Sequence, residues 1–168
     1  MQAVRSLWSL KRPNGPALFE ALGVPRFPLM ISIVSSRSAS FHLSQLREWI
    51  ISEWGKTDPF EGVYDDLVVP PPLLVVDDRQ LLGGLTFTNA PVRSTDRIGL
   101  WINALFVLPK HRRCGIGSKL VAEAEVEASG VSVDDIFVYT DVPDFYQKLG
   151  WSIVDDAGTN TTLRKRIV

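Results

Sequence analysis

The sequence predicts an α/β fold of the α+β kind, with one mixed central sheet flanked by helices. Three observations point there. Short runs with strand-like alternation recur along the chain. Two stretches with apolar residues at three- and four-residue steps stand between them. One run, residues 100–107, is apolar on both faces, as only a strand covered on both sides can be.

The elements follow in order. Residues 30–34, Met-Ile-Ser-Ile-Val, alternate like a strand. From Ser40, a candidate N-cap, the residues Phe41, Leu43, Leu46, Trp49, Ile50 and Trp54 trace an amphipathic helix that Gly55 stops. Residues 56–69 have too little period for more than a loop or one short helix. Strands are expected at 73–76 and 81–88, joined by a four-residue hairpin loop, Asp77 to Gln80. Inside the second, Gly83-Gly84 marks a bulge or a close approach by another backbone. A polar loop over 89–98 then leads into the central strand, which Pro109 ends. A helix over 117–129 has Gly130 as its C-cap. A strand at 134–139, a short helix at 143–149 stopped by Gly150, and strands at 151–154 and 161–167 complete the order. Residues 1–29 are broken by Pro13, Gly15, Pro16, Gly23, Pro25 and Pro28, with only 17–22 regular enough for a helical turn or two. They are expected to be an extension, or else an arm that docks on a partner subunit, and residues 30–168 to be the single domain.

Composition narrows the function. At 168 residues the chain is one ordinary domain, and 45% hydrophobic against 22% charged residues keeps it out of the disordered class. Eighteen basic and nineteen acidic side chains leave a net charge of -1, so no global field holds a nucleic acid and any anion site is local. The lone Cys114 makes no internal disulfide, and with only His42 and His111 it builds no zinc site; a metal is not expected. The longest apolar run, 67–76, is interrupted by Pro70, Pro71 and Pro72, and no apolar stretch follows the basic residues of the N-terminus. No membrane association is therefore expected, and a cytoplasmic location is.

The chemistry concentrates at residues 107–120. A buried strand ends, a tight loop carries Gly115 and Gly117, and a helix begins with Ser118 in its first turn. Glycines let a ligand come close, and a helix N-terminus contributes about half a positive charge, so this is a cradle for phosphate. Lys110, Arg112 and Arg113 add the local positive charge that the chain as a whole lacks. The order of residues fits neither a Walker A loop nor a dinucleotide fingerprint, whose third glycine would fall on Leu120.

Arg112-x-x-Gly115-x-Gly117 after Val107-x-Pro109, followed by Asp144-Phe145-Tyr146-Gln147-Lys148-Leu149-Gly150-Trp151, resembles the GCN5-related N-acetyltransferase (GNAT) superfamily. The first block resembles its pyrophosphate-binding motif A. The second resembles its motif B, with Trp151 where phenylalanine is usual. The resemblance covers about residues 30–168. It implies a sheet whose strand at 103–107 splays from the parallel strand at 136–139, with the pantetheine arm of acetyl-coenzyme A in the gap. The arm would pair with the main chain near Leu105, Phe106 and Val107, and the pyrophosphate would lie on the segment Arg112, Arg113, Cys114, Gly115, Ile116, Gly117, Ser118 and Lys119. Acetyl-coenzyme A would be a cosubstrate.

The resemblance makes Tyr146 the acid that serves the departing thiolate. It leaves the base open. Relatives take a glutamate from the strand that here offers Trp101 and Asn103, so the candidates are Glu53, Asp141, or water held by Asn103 or Thr140. A nucleophilic role for Cys114 beside His111 is set aside, because the thiol lies in the phosphate loop and the family transfers directly. The implied activity is N-acetyl transfer to the primary amine of a small molecule or peptide. Asp58, Glu61, Asp65 and Asp66 would favour a cationic acceptor if they faced the site. A domain that binds acyl-coenzyme A without turning it over is the alternative, supported by the missing strand carboxylate. Family habit adds a homodimer, with surface on 151–154 and 161–167 as the expected patch.

Overall fold

The computed structural model describes residues 30–55, 68–78, 80–93, 95–156 and 158–167. The expectations for residues 1–29 and for Asp58, Glu61, Asp65 and Asp66 lie outside them. The strands are β1 (Ile31–Ser35), β2 (Leu73–Asp77), β3 (Gln80–Pro91), β4 (Ile98–Val107), β5 (Asp135–Thr140), β6 (Ser152–Asp155) and β7 (Thr161–Arg166). They form one mixed sheet in the order β1-β2-β3-β4-β5-β7-β6. The β4–β5 pair is parallel and every other neighbouring pair is antiparallel. The helices are α1 (Leu43–Trp54), α2 (Ile116–Gly130) and α3 (Pro143–Gln147).

Alternation along β4 assigns the two faces. Leu105 and Val107 join the cluster built on Ile116, Leu120, Val121, Ala124 and Ala128 of α2, side chains spaced to line one helix stripe. Ala104 and Phe106 point the other way, against Leu46 and Ile50 of α1. A strand with helices on both faces buries its side chains, all but the half-buried Asn103 over residues 100–107, which is why this run carries no alternation of polarity.

Several expectations change. The loop over 89–98 is largely strand: Asn89, Ala90 and Pro91 pair with Leu100, Gly99 and Ile98, and Trp101 Nε1 donates to the Ala90 carbonyl at 3.0 Å. Thr86, Thr88 and Asn89 are buried there despite their polarity. The hairpin between β2 and β3 is tighter than predicted, because the two strands already pair at Asp77 and Gln80. Ser40 caps nothing with its side chain; it opens a 3-10 turn, Ser40–His42, that runs into α1. Gly55 does stop α1, at φ 97°, with its N–H donating to the Ile51 carbonyl at 2.8 Å. Gly130 is the last residue of α2 and not its cap; Val131 takes that place, its N–H bonded to the Ala128 carbonyl. Gly83 makes the close approach, since a Cβ there would collide with the Phe106 carbonyl of β4. The expected apolar patch on the last strands shrinks to Ile153 and Val154, because Trp151 and residues 161–163 are buried.

The feature that positions the site is in β4. Thr86 faces Ala104 but Phe87 faces Ile102, so Asn103 is an extra residue, a β-bulge. Pairing between β4 and β5 covers Leu100, Trp101 and Ile102 and stops there, although the strands continue to Val107 and Thr140. Beyond the bulge the two parallel strands part.

Candidate active site

Pro109 ends β4 and opens a 3-10 turn, Pro109–His111. Arg112 is extended, Arg113 lies in the left-handed region at φ 66°, and Gly115 lies there at φ 81° before α2 begins at Ile116. Gly115 has no atom within 4 Å of where a Cβ would stand, so glycine serves its backbone conformation. The amides of Ile116, Gly117 and Ser118 have no intrahelical acceptor, by the geometry of any helix start. The Lys119 amide, by contrast, donates to the Gly115 carbonyl at 3.1 Å, so of the segment named from the sequence this one is already engaged.

A cleft of about 320 Å³ opens above this turn. Its walls are Leu105 and Val107 of β4, the loop from His111 to Ser118, Phe145 of α3, and Trp54 at the end of α1. A Cβ on Gly117 would stand 3.4 Å from the Phe145 ring and 3.9 Å from Leu105, both cleft side chains, so the glycine keeps this wall open. Phe106 turns its ring away to the α1 side, and the Ile116 side chain is core; only their backbones are available to a ligand. Cys114 is exposed, its Sγ 3.7 Å from the Arg112 carbonyl. A larger concavity, about 590 Å³, lies between the β3–β4 hairpin and the starts of β4 and β5. It has no glycine cradle, and its charges pair among themselves, as Arg93 does with Asp155 at 2.9 Å.

Arg112 does not face solvent. Its Nε donates to the Val107 carbonyl at 2.7 Å, and a terminal nitrogen lies 3.2 Å from Glu53 Oε1. Glu53, named as a base candidate, is thus held by a guanidinium. Asn103 is the bulge residue, half-buried and with partners of its own. Asp141 follows β5, and partial burial pushes its carboxyl above the ordinary value, against the pull of a backbone hydrogen bond. His111, on the cleft wall, is pushed down by burial and by Lys110, with Asp77 opposing, so it is neutral near pH 7.

Tyr146 is fully buried and its hydroxyl has no hydrogen-bond partner. Burial, and then the Asp141 charge, raise its pKa far above that of a free phenol. The ring stands 4.9 Å from Phe145 and 5.3 Å from Trp151, edge to face in both cases. Trp151 Nε1 donates to Glu125 of α2 at 2.8 Å, which gives the indole, where motif B usually has phenylalanine, an acceptor that phenylalanine would not need. Trp54 and Phe145 as cleft walls were not visible in the sequence, where Trp54 counted as an apolar helix position and Phe145 as a member of the second motif.

Residues 72–153 match the family model described as an acetyltransferase (GNAT) domain. Residues 72–153 thus carry a GNAT acetyltransferase domain. Comparison with curated proteins finds no match. Among solved structures the GNAT fold is shared with Arabidopsis thaliana Naa50 in complex with a bisubstrate analogue, CoA-Ac-MVNAL, at TM-score 0.58 and 20% identity over 80% of this chain and 97% of that one. It is shared with an aminoglycoside 6'-N-acetyltransferase complexed with coenzyme A, at TM-score 0.58 and 21% identity over 83% and 97%. The N-acetylglutamate synthase of Neisseria gonorrhoeae, complexed with coenzyme A and N-acetyl-glutamate, matches at TM-score 0.55 and 15% identity over 82% of this chain and 35% of that one. Among the described residues of this GNAT domain, no helix is long and apolar enough to cross a membrane and no group of three or more His, Cys, Asp or Glu could hold a metal ion.

Proposed function

We propose that this domain transfers the acetyl group of acetyl-coenzyme A to a primary amine, by direct attack of the amine nitrogen on the thioester carbonyl. The observation that carries it is the parting of β4 and β5 after Ile102, beside a cleft floored by Gly115 and Gly117. Strands that part leave main-chain N–H and C=O groups without a ladder, and the two amides of a pantetheine arm match that spacing chemically. The start of α2 offers amides to the pyrophosphate, and Arg113 lies on the same wall.

The amine nitrogen forms a bond to the acetyl carbon, the carbon–sulfur bond breaks, and the coenzyme leaves as thiolate. Tyr146 gives its proton to that sulfur and recovers one from the nitrogen as the amide forms: a phenol whose pKa is raised stays protonated at any working pH, and its hydroxyl has no competing partner. Asp141 takes the proton of the incoming ammonium, its burial moving its pKa toward that task. The acceptor is a small-molecule or peptide amine. The complexes of the neighbours support an amine, since one holds a peptide-based bisubstrate analogue and another acts on aminoglycosides.

Free thiol released on mixing with acetyl-coenzyme A and a panel of amines tests this. Thiol formed in proportion to acceptor is the expected result. Tight binding of acetyl-coenzyme A with no release on any amine would replace the enzyme by a sensor of the acyl-coenzyme.

A further inference from the structure

We propose that Glu53 is a positioning residue for the coenzyme: through Arg112 it fastens the end of α1 to the phosphate loop. The inference rests on the coenzyme assignment of the cleft. Motif A opens with Arg112, and a cation at that point would be expected to reach outward to phosphate. Its guanidinium instead turns inward. Nε donates to the Val107 carbonyl at 2.7 Å, a terminal nitrogen meets Glu53 at 3.2 Å, and the guanidinium carbon lies 5.5 Å from the centre of the Phe106 ring. The two charged side chains are 19% and 27% exposed. The pair is partly shielded from water, and its geometry is fixed by a second hydrogen bond and a ring face.

The position of this latch matters more than its strength. Val107 is the last residue of β4, at the point where β5 has already left it, and its carbonyl is held from the loop side by Arg112. Trp54, the neighbour of Glu53, sets its ring edge-on to the same Phe106 at 6.2 Å and forms the α1 wall of the cleft. The seat of the coenzyme is thus assembled from two segments 59 residues apart, and Glu53–Arg112 is their charged link.

The test is a double-mutant cycle read as acetyl-coenzyme A affinity, with kinetics beside it. Parent, Glu53→Ala, Arg112→Met and the double variant are measured by calorimetry well below their melting temperatures. Each single variant should bind acetyl-coenzyme A about five- to tenfold more weakly, and the double variant no more weakly than the worse single one. Turnover at saturating coenzyme should stay within about twofold for Glu53→Ala, with the pH profile unmoved, and Glu53→Gln, which still accepts from Arg112, should recover most of the affinity. Glu53→Gln also serves if Glu53→Ala does not fold. The proposal is overturned by parent-like binding in Glu53→Ala, by effects that add in the double variant, or by a collapse of kcat with loss of the acidic limb of the profile, which would make Glu53 the base. Tighter binding in Glu53→Ala would overturn it too, because Glu53 would then merely restrain a cation from the phosphates. If the parent itself binds no acetyl-coenzyme A, it is the assignment of the cleft that fails.

Discussion

Replacing Tyr146 by phenylalanine separates catalysis from packing with opposite signs. The hydroxyl is buried and has no hydrogen-bond partner, so the folded parent bears the cost of a desolvated polar group, about 1–3 kcal/mol. Phenylalanine keeps the ring contacts to Phe145 and Trp151 at 4.9 and 5.3 Å and removes that cost. A gain of about 1 kcal/mol in a domain of this size raises the melting temperature by roughly 2–4 °C. If the phenol protonates the leaving thiolate, the same change lowers kcat by about 10²-fold and leaves KM for acetyl-coenzyme A nearly unchanged, because the lost interaction grows only as the carbon–sulfur bond breaks. Differential scanning fluorimetry and steady-state thiol release read the two effects on one sample. The expected variant is more stable and slower. Turnover within about threefold of the parent would refute the acid role, and a lower melting temperature would refute the claim that the hydroxyl is unserved in the fold.

The other expected outcomes are these. Gly117→Leu places a side chain against Phe145 and Leu105 in the cleft, so acetyl-coenzyme A affinity should fall at least tenfold, about 1.4 kcal/mol, while Gly117→Ala, whose methyl stands at 3.4 Å from Phe145, should stay folded with a smaller loss; calorimetry checks both. Asp141 must be ionised to accept a proton and its pKa is raised, so activity should fall as pH drops through a value above that of a free aspartate, and Asp141→Asn should lose both kcat and that limb of the pH profile. A chain beginning at Met30 should melt within a few degrees of the full one, and a large loss would make residues 1–29 an integral arm. Ile153 and Val154 are 42% and 45% exposed on the edge strand β6, and a dimer formed there should show twice the chain mass by light scattering and revert to 18.7 kDa when both are replaced by lysine.

Local patterning determined much of this protein. The helical steps from Leu43 to Trp54, the strand ended by Pro109, the glycines at 115 and 117 and the Asp144–Trp151 motif each act within a few residues, so periodicity, turn chemistry and resemblance suffice to place them and to name the family. Strand length over 89–91 escaped, because Asn89 and Pro91 look like loop until the partner strand that pairs with them is known. The same holds for direction. Nothing in the sequence says that Arg112 turns inward, since that depends on Val107 and on Glu53, brought to it by α1 packing on the far face of β4. The order of strands across the sheet, the extra residue at Asn103 and the parting of β4 from β5 are likewise properties of two chains of backbone in register. Local sequence fixes which residues can form an element, because caps, turns and periodicity act over one or two turns of chain. Which groups end up unpaired, and therefore free to meet a ligand, is decided only when distant segments compete for the same hydrogen bonds.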